Sequence, residues 1–309
     1  MAPISLADLG RLDAAAAARG IALLHDAPMA PLTTRRVGGA ADRMVAVQSR
    51  DELLAALVLA RDAQVPWFVL GNGSDLVVAD AGMRGLVIRN RARDVSIDGQ
   101  QLYADAGAPM ALLVRRATEA GLAGLEFGTS IPGTLGGAVW ANAGAHGREM
   151  RDVLVSVETW DPSNGDVARL DAADCAFAYR ESRFKHSSEV VVAATLALDR
   201  DASEAIAARV AEHQAQRVAT QPVADQNAGS VFRNPPGDHA GRLIDAAGLK
   251  GTRVGTASVS MLHANFIVTD RGAAAADVRA LGDRIRAEVA ARFGVELQYE
   301  IEFVGDWPP

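Results

Sequence analysis

The stretch "GTSIPGTLGGAVWANAGAHG" (residues 128–147) decides how this chain is read. It holds five glycines after the first, one proline, and mostly small residues between them. A solvent-facing loop has no need of so many small apolar residues. Main chain wrapped closely around a ligand does, because glycine lets the backbone approach and its N–H groups then act as donors. The alternative is a buried loop packed tightly for its own sake. A second glycine motif, "GNGSDL" (71–76), follows the apolar run "WFVL". Successive N–H groups there can form an anion nest, and Ser74 adds a hydroxyl. The spacing is not a Rossmann fingerprint, and a strand rather than a helix is expected next. Taken alone, the motif reads equally well as a tight hairpin turn. Two such loops on short strands point together to a large phosphate-bearing cofactor.

Composition narrows the class. The 309 residues suffice for two or three domains. With 49% hydrophobic and 22% charged residues, the chain has an ordinary soluble, globular balance. A net charge of -7 argues against a nucleic-acid partner but allows a local basic pocket for an anionic small molecule. Cys175 is the single cysteine, so no intramolecular disulfide is possible, and packing is its expected role. The N-terminal "MAPISLADLGRLDAAAAARG" lacks a cationic start and reads as a helix rather than a signal peptide. No apolar run reaches the roughly 18 residues of a membrane span. A cytoplasmic protein is expected, with no membrane partner.

Periodicity gives the elements. Helices are expected over residues 5–20, 51–64, the segment "PMALLVRRATEAGL", 202–218, the segment "AGRLIDAAGLKG" and 273–292. Gly121 fits the C′ position of the third helix. Short strands are expected at "RGLVIRN", "DVSIDG" and "QLYADAG", and a hairpin at "VLVSVETWDPSNGDVARLD". "EVVVAATLALD" reads as a buried strand and "LQYEIEFVG" as the last one. After Thr220 the chain takes the character of a separate small α+β unit.

In "NAGSVFRNPPG" (227–237), Ser230 sits where a tight turn becomes a short strand. No histidine base is adjacent in sequence and no G-x-S-x-G elbow surrounds it. A turn serine capping its own backbone is the plain alternative to a functional one.

With "TTRRVGGAAD", "YRESRFK", "NAGSVFRNP" and "LQYEIEFVG", these loops make the chain resemble the UDP-N-acetylenolpyruvoylglucosamine reductase family over nearly its whole length. The resemblance implies an α+β protein. Residues 1–36 are an N-terminal segment. Residues 37–199 are an FAD-binding domain of the vanillyl-alcohol-oxidase (PCMH) type. Residues 200–309 are a smaller α+β substrate-binding domain. It implies non-covalent FAD, NADPH, a UDP-sugar nucleotide substrate, no metal and a monomer. Fifty positions separate Arg180 from Ser230, so the chain resembles the shorter subtype, without the inserted segment that carries a substrate-capping tyrosine.

The implied reaction reduces an enolpyruvyl ether to a lactyl ether, with hydride to C3 and a proton to C2. It needs a proton donor, a cation against the carboxylate, and tolerance of an enolate-like intermediate. Ser230 matches the proton donor. Arg180 matches the catalytic arginine, although as a residue type it could pair with Glu181, Glu126 or a surface acid. Glu300 matches the catalytic glutamate. A regular strand would put Glu302 on the same face, so pattern alone does not choose between them. The FAD contacts implied are Gly71, Asn72, Gly73, Ser74, Asp75 and Leu76 from the first loop. Thr129, Pro132, Gly133, Gly136, Gly137, Ala138, Asn142 and Gly144 come from the second. Asn234 and His263 match substrate contacts, and Arg217 is a candidate for the substrate diphosphate. Asp75 stands where the family commonly has Asn, His146 where it has tyrosine, and Leu32 where Asn is frequent. Glu302 stands where a basic residue can occur, and "VGTASVS" is more polar than the usual version.

Rival classes are an oxidase with covalent flavin, a non-catalytic nucleotide sensor, and a flavin-free dehydrogenase. The last lacks its helix-borne fingerprint.

Overall fold

The computed structural model describes residues 4–308; the first three residues of the expected N-terminal segment lie outside them. The chain forms two compact units, each assembled from separated stretches of sequence. The first comprises residues up to Leu24, Arg43–Asn72 and Gly85–Gln216. The second comprises His25–Asp42, Gly73–Arg84 and the residues from Arg217 onward.

The first unit is built on a five-stranded antiparallel sheet. Its order is Val167–Asp171, Leu154–Trp160, Val190–Ala197, Gln101–Asp105, Val95–Asp98. Helices α1 (Leu6–Ala18) and α2 (Arg50–Asp62) start at Ser5 and Ser49, whose side chains accept from Asp8 N and Glu52 N. Leu12, Leu53 and Leu57 bury against Trp160, Val190 and Val192. Helix α3 (Met110–Glu119) buries Met110, Leu113, Val114 and Ala117, one face at helical spacing. Gly121 follows its cap residue with φ +64, as the C′ reading requires. With α4 (Leu135–Trp140), α3 lies in a second core that includes Val191, Ala194 and Leu196. The strand Val190–Ala197 is thus buried on both sides, as its apolar run suggests. A register shift opposite Val192 changes which alternate residues face which core. Helix α5 (Ser203–Thr220) buries only Ile206 and runs from the first unit into the second.

The second unit packs α6 (Ala240–Ala246) and α7 (Ala275–Phe293) with an antiparallel sheet of Arg253–Val254, Ala257–Val259 and Ile267–Thr269. Asp80 caps α7: its two oxygens accept from Ala275 N at 2.8 Å and Ala276 N at 3.0 Å. The α+β unit expected after Thr220 therefore takes in earlier chain as well. Leu76–Val78 pairs in parallel with Glu302–Val304, and Val37 and Val77 sit in its core.

Two local expectations change. The residues after Ser230 and those around Glu300 form no long strands; they meet through a single bridge, Phe232 to Tyr299. The chain bends at Ile301 before the strand Glu302–Val304 begins. The glycine-rich run is not all loop either. It contains a 3-10 turn (Glu126–Ser130) and α4, helical despite Gly136 and Gly137.

Candidate active site

In the second unit, Ser230 is held from both sides. Gly229 precedes it at φ +74, a left-handed conformation that glycine adopts without strain. The Asn227 side chain accepts from Gly229 N at 3.0 Å and donates to the carbonyls of Pro222 and Asp225. Val231 N donates to Asn265 O at 2.8 Å. The buried Asn265 carboxamide then accepts from Phe232 N at 3.0 Å and donates to Phe232 O at 2.8 Å. A buried amide using donor and acceptor on one residue fixes that backbone in place. Asn227 and Asn265 are positioning residues that sequence reasoning missed. "NAG" carried a turn signal for the first; nothing local marks the second.

Ser230 opens on a cavity of about 340 Å³ whose wall includes Asn234, Arg242, Lys250, His263 and Asn265. Three predicted residues, Ser230, Asn234 and His263, are brought together there. Arg217 is not in this wall; it is half-buried at the end of α5, with Nε buried and lacking a hydrogen-bond partner. Burial holds its guanidinium below the usual range. Arg242 and Lys250 were not foreseen. Arg242 pairs with Asp238 one helical turn back, and Lys250 Nζ lies 2.8 Å from Asp245 Oδ2. Asn234 Oδ1 accepts from Ala240 N at 3.1 Å, which anchors the start of α6.

His263 Nδ1 accepts from Asn265 N at 3.2 Å, which leaves the ring proton on Nε2. Burial, and next the charge of Lys250, push the imidazole below its ordinary pKa. The ring is therefore both braced by backbone and present in the cavity wall as a neutral donor.

The backbone separates the two glutamates. Glu300 N donates to Val231 O at 2.8 Å, next to Ser230, whereas Glu302 N donates to Asp75 O at 2.9 Å. The bend at Ile301 breaks the alternation that made them equivalent in sequence.

Arg180 belongs to the first unit. Its backbone is left-handed, φ +57, in a tight turn closed by the bridge from Ala178 to Glu181. Nη2 donates to Gly144 O at 2.8 Å, Nη1 lies 4.0 Å from Glu149 Oε1, and the guanidinium sits over the Tyr179 ring. Arg180 is thus tied to the glycine-rich segment. The fully buried Asn142 side chain joins the same parts: it donates to Glu149 Oε2 and Ala178 O and accepts from Arg151 N. Glu126, one partner considered for Arg180, is bound by Arg209 at 2.7 Å and by Gly124 N at 2.6 Å. Glu181 Oε2 lies 3.1 Å from His186 Nε2. His146 stacks on His213 with centroids 3.8 Å apart and bonds Ser130 Oγ at 2.9 Å.

The glycines have a packing role. A Cβ at Gly71 would lie 2.6 Å from Thr134 Oγ1, at Gly136 2.9 Å from Ala106 Cβ, and at Gly144 2.4 Å from Arg148 O. In the second unit, a Cβ at Gly73 would lie 2.5 Å from Leu32 O. Close approach to protein, not only to a ligand, excludes larger residues at these four positions. Gly137 differs: a Cβ there would meet nothing nearer than Thr134 Oγ1 at 3.9 Å. The Asn72 carboxamide donates to Pro132 O at 2.9 Å and so ties the first glycine loop to the second, while the space over Gly137 is left open, as close approach of a ligand requires.

Comparison with known proteins identifies the class. A family model described as an FAD binding domain matches residues 41–171. Residues 221–304 match the model of the UDP-N-acetylenolpyruvoylglucosamine reductase C-terminal domain. The protein is an FAD-binding oxidoreductase. A reductase of this name from Symbiobacterium thermophilum is 44% identical over 284 residues, covering 91% of this chain and 92% of the relative. That from Anaeromyxobacter dehalogenans is 45% identical, covering 93% and 87%. The crystal structure of the Thermus caldophilus reductase superposes with a TM-score of 0.79 at 36% identity, covering 93% of this chain and 99% of that one. The chain belongs to the UDP-N-acetylenolpyruvoylglucosamine reductase family.

Proposed function

We propose that this protein uses NADPH to reduce the enolpyruvyl group of UDP-N-acetylglucosamine enolpyruvate to the lactyl ether of UDP-N-acetylmuramate, in peptidoglycan precursor synthesis. The observation that carries this reading is the setting of Ser230. It is braced by Gly229 and Asn265 and opens on a cavity that also holds Lys250, Arg242 and the neutral His263. FAD, when bound, supplies the hydride that reaches C3 of the enolpyruvyl group.

Ser230 Oγ donates the proton to C2. A hydroxyl is a weak acid in water, but accurate placement against a strongly basic carbanion is enough. Ser230 acts as an acid and needs no adjacent base. Arg180 holds the substrate carboxylate with a fixed pair of guanidinium donors. Glu300 assists protonation and tolerates the developing charge only while protonated or hydrogen-bonded. Asn234 and the Nε2–H of His263 bind substrate, and Arg217 takes part in holding its diphosphate.

The flavin is held non-covalently by the residues of the two glycine loops, Gly71 to Leu76 and Thr129 to Gly144, at the positions named above. Cys175 supports non-covalent binding: it is fully buried and burial pushes its thiol up to about 11. Along the sequence, FAD binding is assigned to 37–199 and substrate binding to 200–309, limits that cut across the two compact units because 25–42 and 73–84 pack with the second; the protein works as a monomer of the shorter subtype in the cytoplasm. Among the described residues, no helix is long and apolar enough to cross a membrane.

The test is an anaerobic absorbance titration. NADPH should bleach the flavin, and the enolpyruvyl sugar nucleotide should restore it. Bleaching without recovery would contradict the substrate assignment.

A further inference from the structure

Tyr299 stands where the segment of Ser230 meets the segment of Glu300. Its backbone pairs with Phe232 in the antiparallel bridge. Two hydrogen bonds flank that bridge: Glu300 N donates to Val231 O at 2.8 Å and Arg233 N to Gln298 O at 2.9 Å. In this pattern the bridged residues exchange no bond with each other, and their side chains come closest. The rings of Phe232 and Tyr299 accordingly stack, with centroids 5.0 Å apart and planes inclined by 26°. The Phe303 ring meets Tyr299 edge-on at 4.9 Å. Phe232 is itself fully buried, with its N and O both taken by Asn265.

Helix α7, in the same unit, holds the Tyr299 side chain in turn. Tyr299 Oη donates to Asp283 Oδ1 at 2.8 Å, and the Arg286 guanidinium lies over the ring, 5.2 Å from its centroid. Arg286 Nε also donates to Leu297 O at 3.0 Å. One residue before Asp283 is Gly282, buried in mid-helix, where glycine is unfavourable relative to alanine. A Cβ at that position would lie 2.5 Å from Tyr299 Oη and 2.9 Å from its Cε1. The glycine leaves room for the phenol at the expense of helix propensity. Burial, and next the bond to Asp283, push the phenol above its ordinary range, so it stays a neutral donor. Asp283 is exposed, so this bond contributes less than the ring packing does.

We propose that Tyr299 is a positioning residue for proton delivery: packed between α7 and Phe232, its ring sets the register in which Glu300 meets the main chain beside Ser230. The catalytic half of this inference rests on the proton-transfer roles proposed for Ser230 and Glu300; the pinning of the register does not. So short a strand pair is marginal without packing on one face, and the ring supplies that packing. The same contact accounts for a glycine in the middle of the long helix α7.

The test uses the full-length holoenzyme with Tyr299→Phe, Tyr299→Leu and Gly282→Ala. Hydrogen–deuterium exchange reads the register at the amides of Glu300 and Arg233. Val259 N, bonded to Thr252 O in the same unit, is the reference. Tyr299→Leu should speed exchange at both amides about tenfold or more and leave Val259 unchanged. Tyr299→Phe keeps the stack and should change exchange by less than about threefold. Gly282→Ala displaces the ring and should act like Tyr299→Leu, although alanine favours the helix; added to Tyr299→Leu it should change nothing further. Stopped-flow absorbance reads the catalytic half. In Tyr299→Leu, reoxidation of the flavin by the enolpyruvyl sugar nucleotide should slow about 10–100-fold while reduction by NADPH holds its rate. In the Ser230→Ala background that loss should disappear, because Tyr299 acts through the serine. Unchanged exchange at Glu300 and Arg233, or an equal rise at Val259, would overturn the pinning. Equal slowing of both half-reactions, no slowing of reoxidation, or a loss that persists beside Ser230→Ala would overturn the catalytic role. If Tyr299→Leu does not fold, Gly282→Ala carries both measurements with the same outcomes. A wild type whose reduced flavin is not reoxidised by the enolpyruvyl sugar nucleotide would instead sink the roles of Ser230 and Glu300, and the exchange rates would still decide the pinning.

Discussion

Ser230 and Arg180 are both placed by left-handed backbone, but at different positions. At Ser230 the positive φ falls on Gly229, the residue before, and costs almost nothing. At Arg180 it falls on the arginine itself, where a side chain costs on the order of 1–2 kcal/mol. Ser230 is then fixed by neighbours, through Asn227 and Asn265. Arg180 is fixed through its own guanidinium on Gly144 and through the buried Asn142 on Ala178. The serine can be replaced without disturbing its frame. The arginine is part of its frame.

That contrast orders the expected effects of substitution. If Ser230 is the proton donor, Ser230→Ala should slow reoxidation of the reduced flavin by substrate by several orders of magnitude, with stability unchanged. Arg180→Lys keeps the charge but loses the paired donors and the bond to Gly144. It should lower kcat/KM about 100-fold or more and also reduce stability, measured by steady-state kinetics and thermal melts. Gly229→Ala moves strain onto a residue next to the serine. It should cost about 1–2 kcal/mol in denaturant unfolding and lower substrate reduction more than reduction by NADPH.

The smallest effect concerns His263. Its pKa is lower in the folded protein than in the unfolded chain. Above the unfolded value, about 6.5, neither state takes up the proton, and stability is unaffected. As pH falls below that value, the unfolded chain is protonated first, and stability declines until the folded pKa is passed. His263→Gln should flatten this acid-side decline in melts carried out below about pH 6.5.

Much of this arrangement is legible in the sequence, for local reasons. The apolar faces of α2 and α3, the C′ role of Gly121, the hairpin 154–171 and the turn before Ser230 depend on residues a few positions apart. What was not legible is long-range. Nothing near Ser230 announces that Asn265 holds the next two residues. Alternation made Glu300 and Glu302 equivalent, and only the bend at Ile301 distinguishes them. The glycines at 71, 73, 136 and 144 read as room for a ligand, yet the protein itself fills the adjoining space. Nor does the sequence show that residues 25–42 and 73–84 join the unit that holds Ser230. "TTRRVGG" gave no sign that the first of its two arginines is buried.

The most direct measurement is anaerobic stopped-flow absorbance of Ser230→Ala beside the wild type, with the two half-reactions followed separately. If Ser230 is the proton donor, NADPH reduces the flavin at close to the wild-type rate, and reoxidation by the enolpyruvyl sugar nucleotide slows by several orders of magnitude. Equal slowing of both steps, or no slowing of the second, would contradict that role.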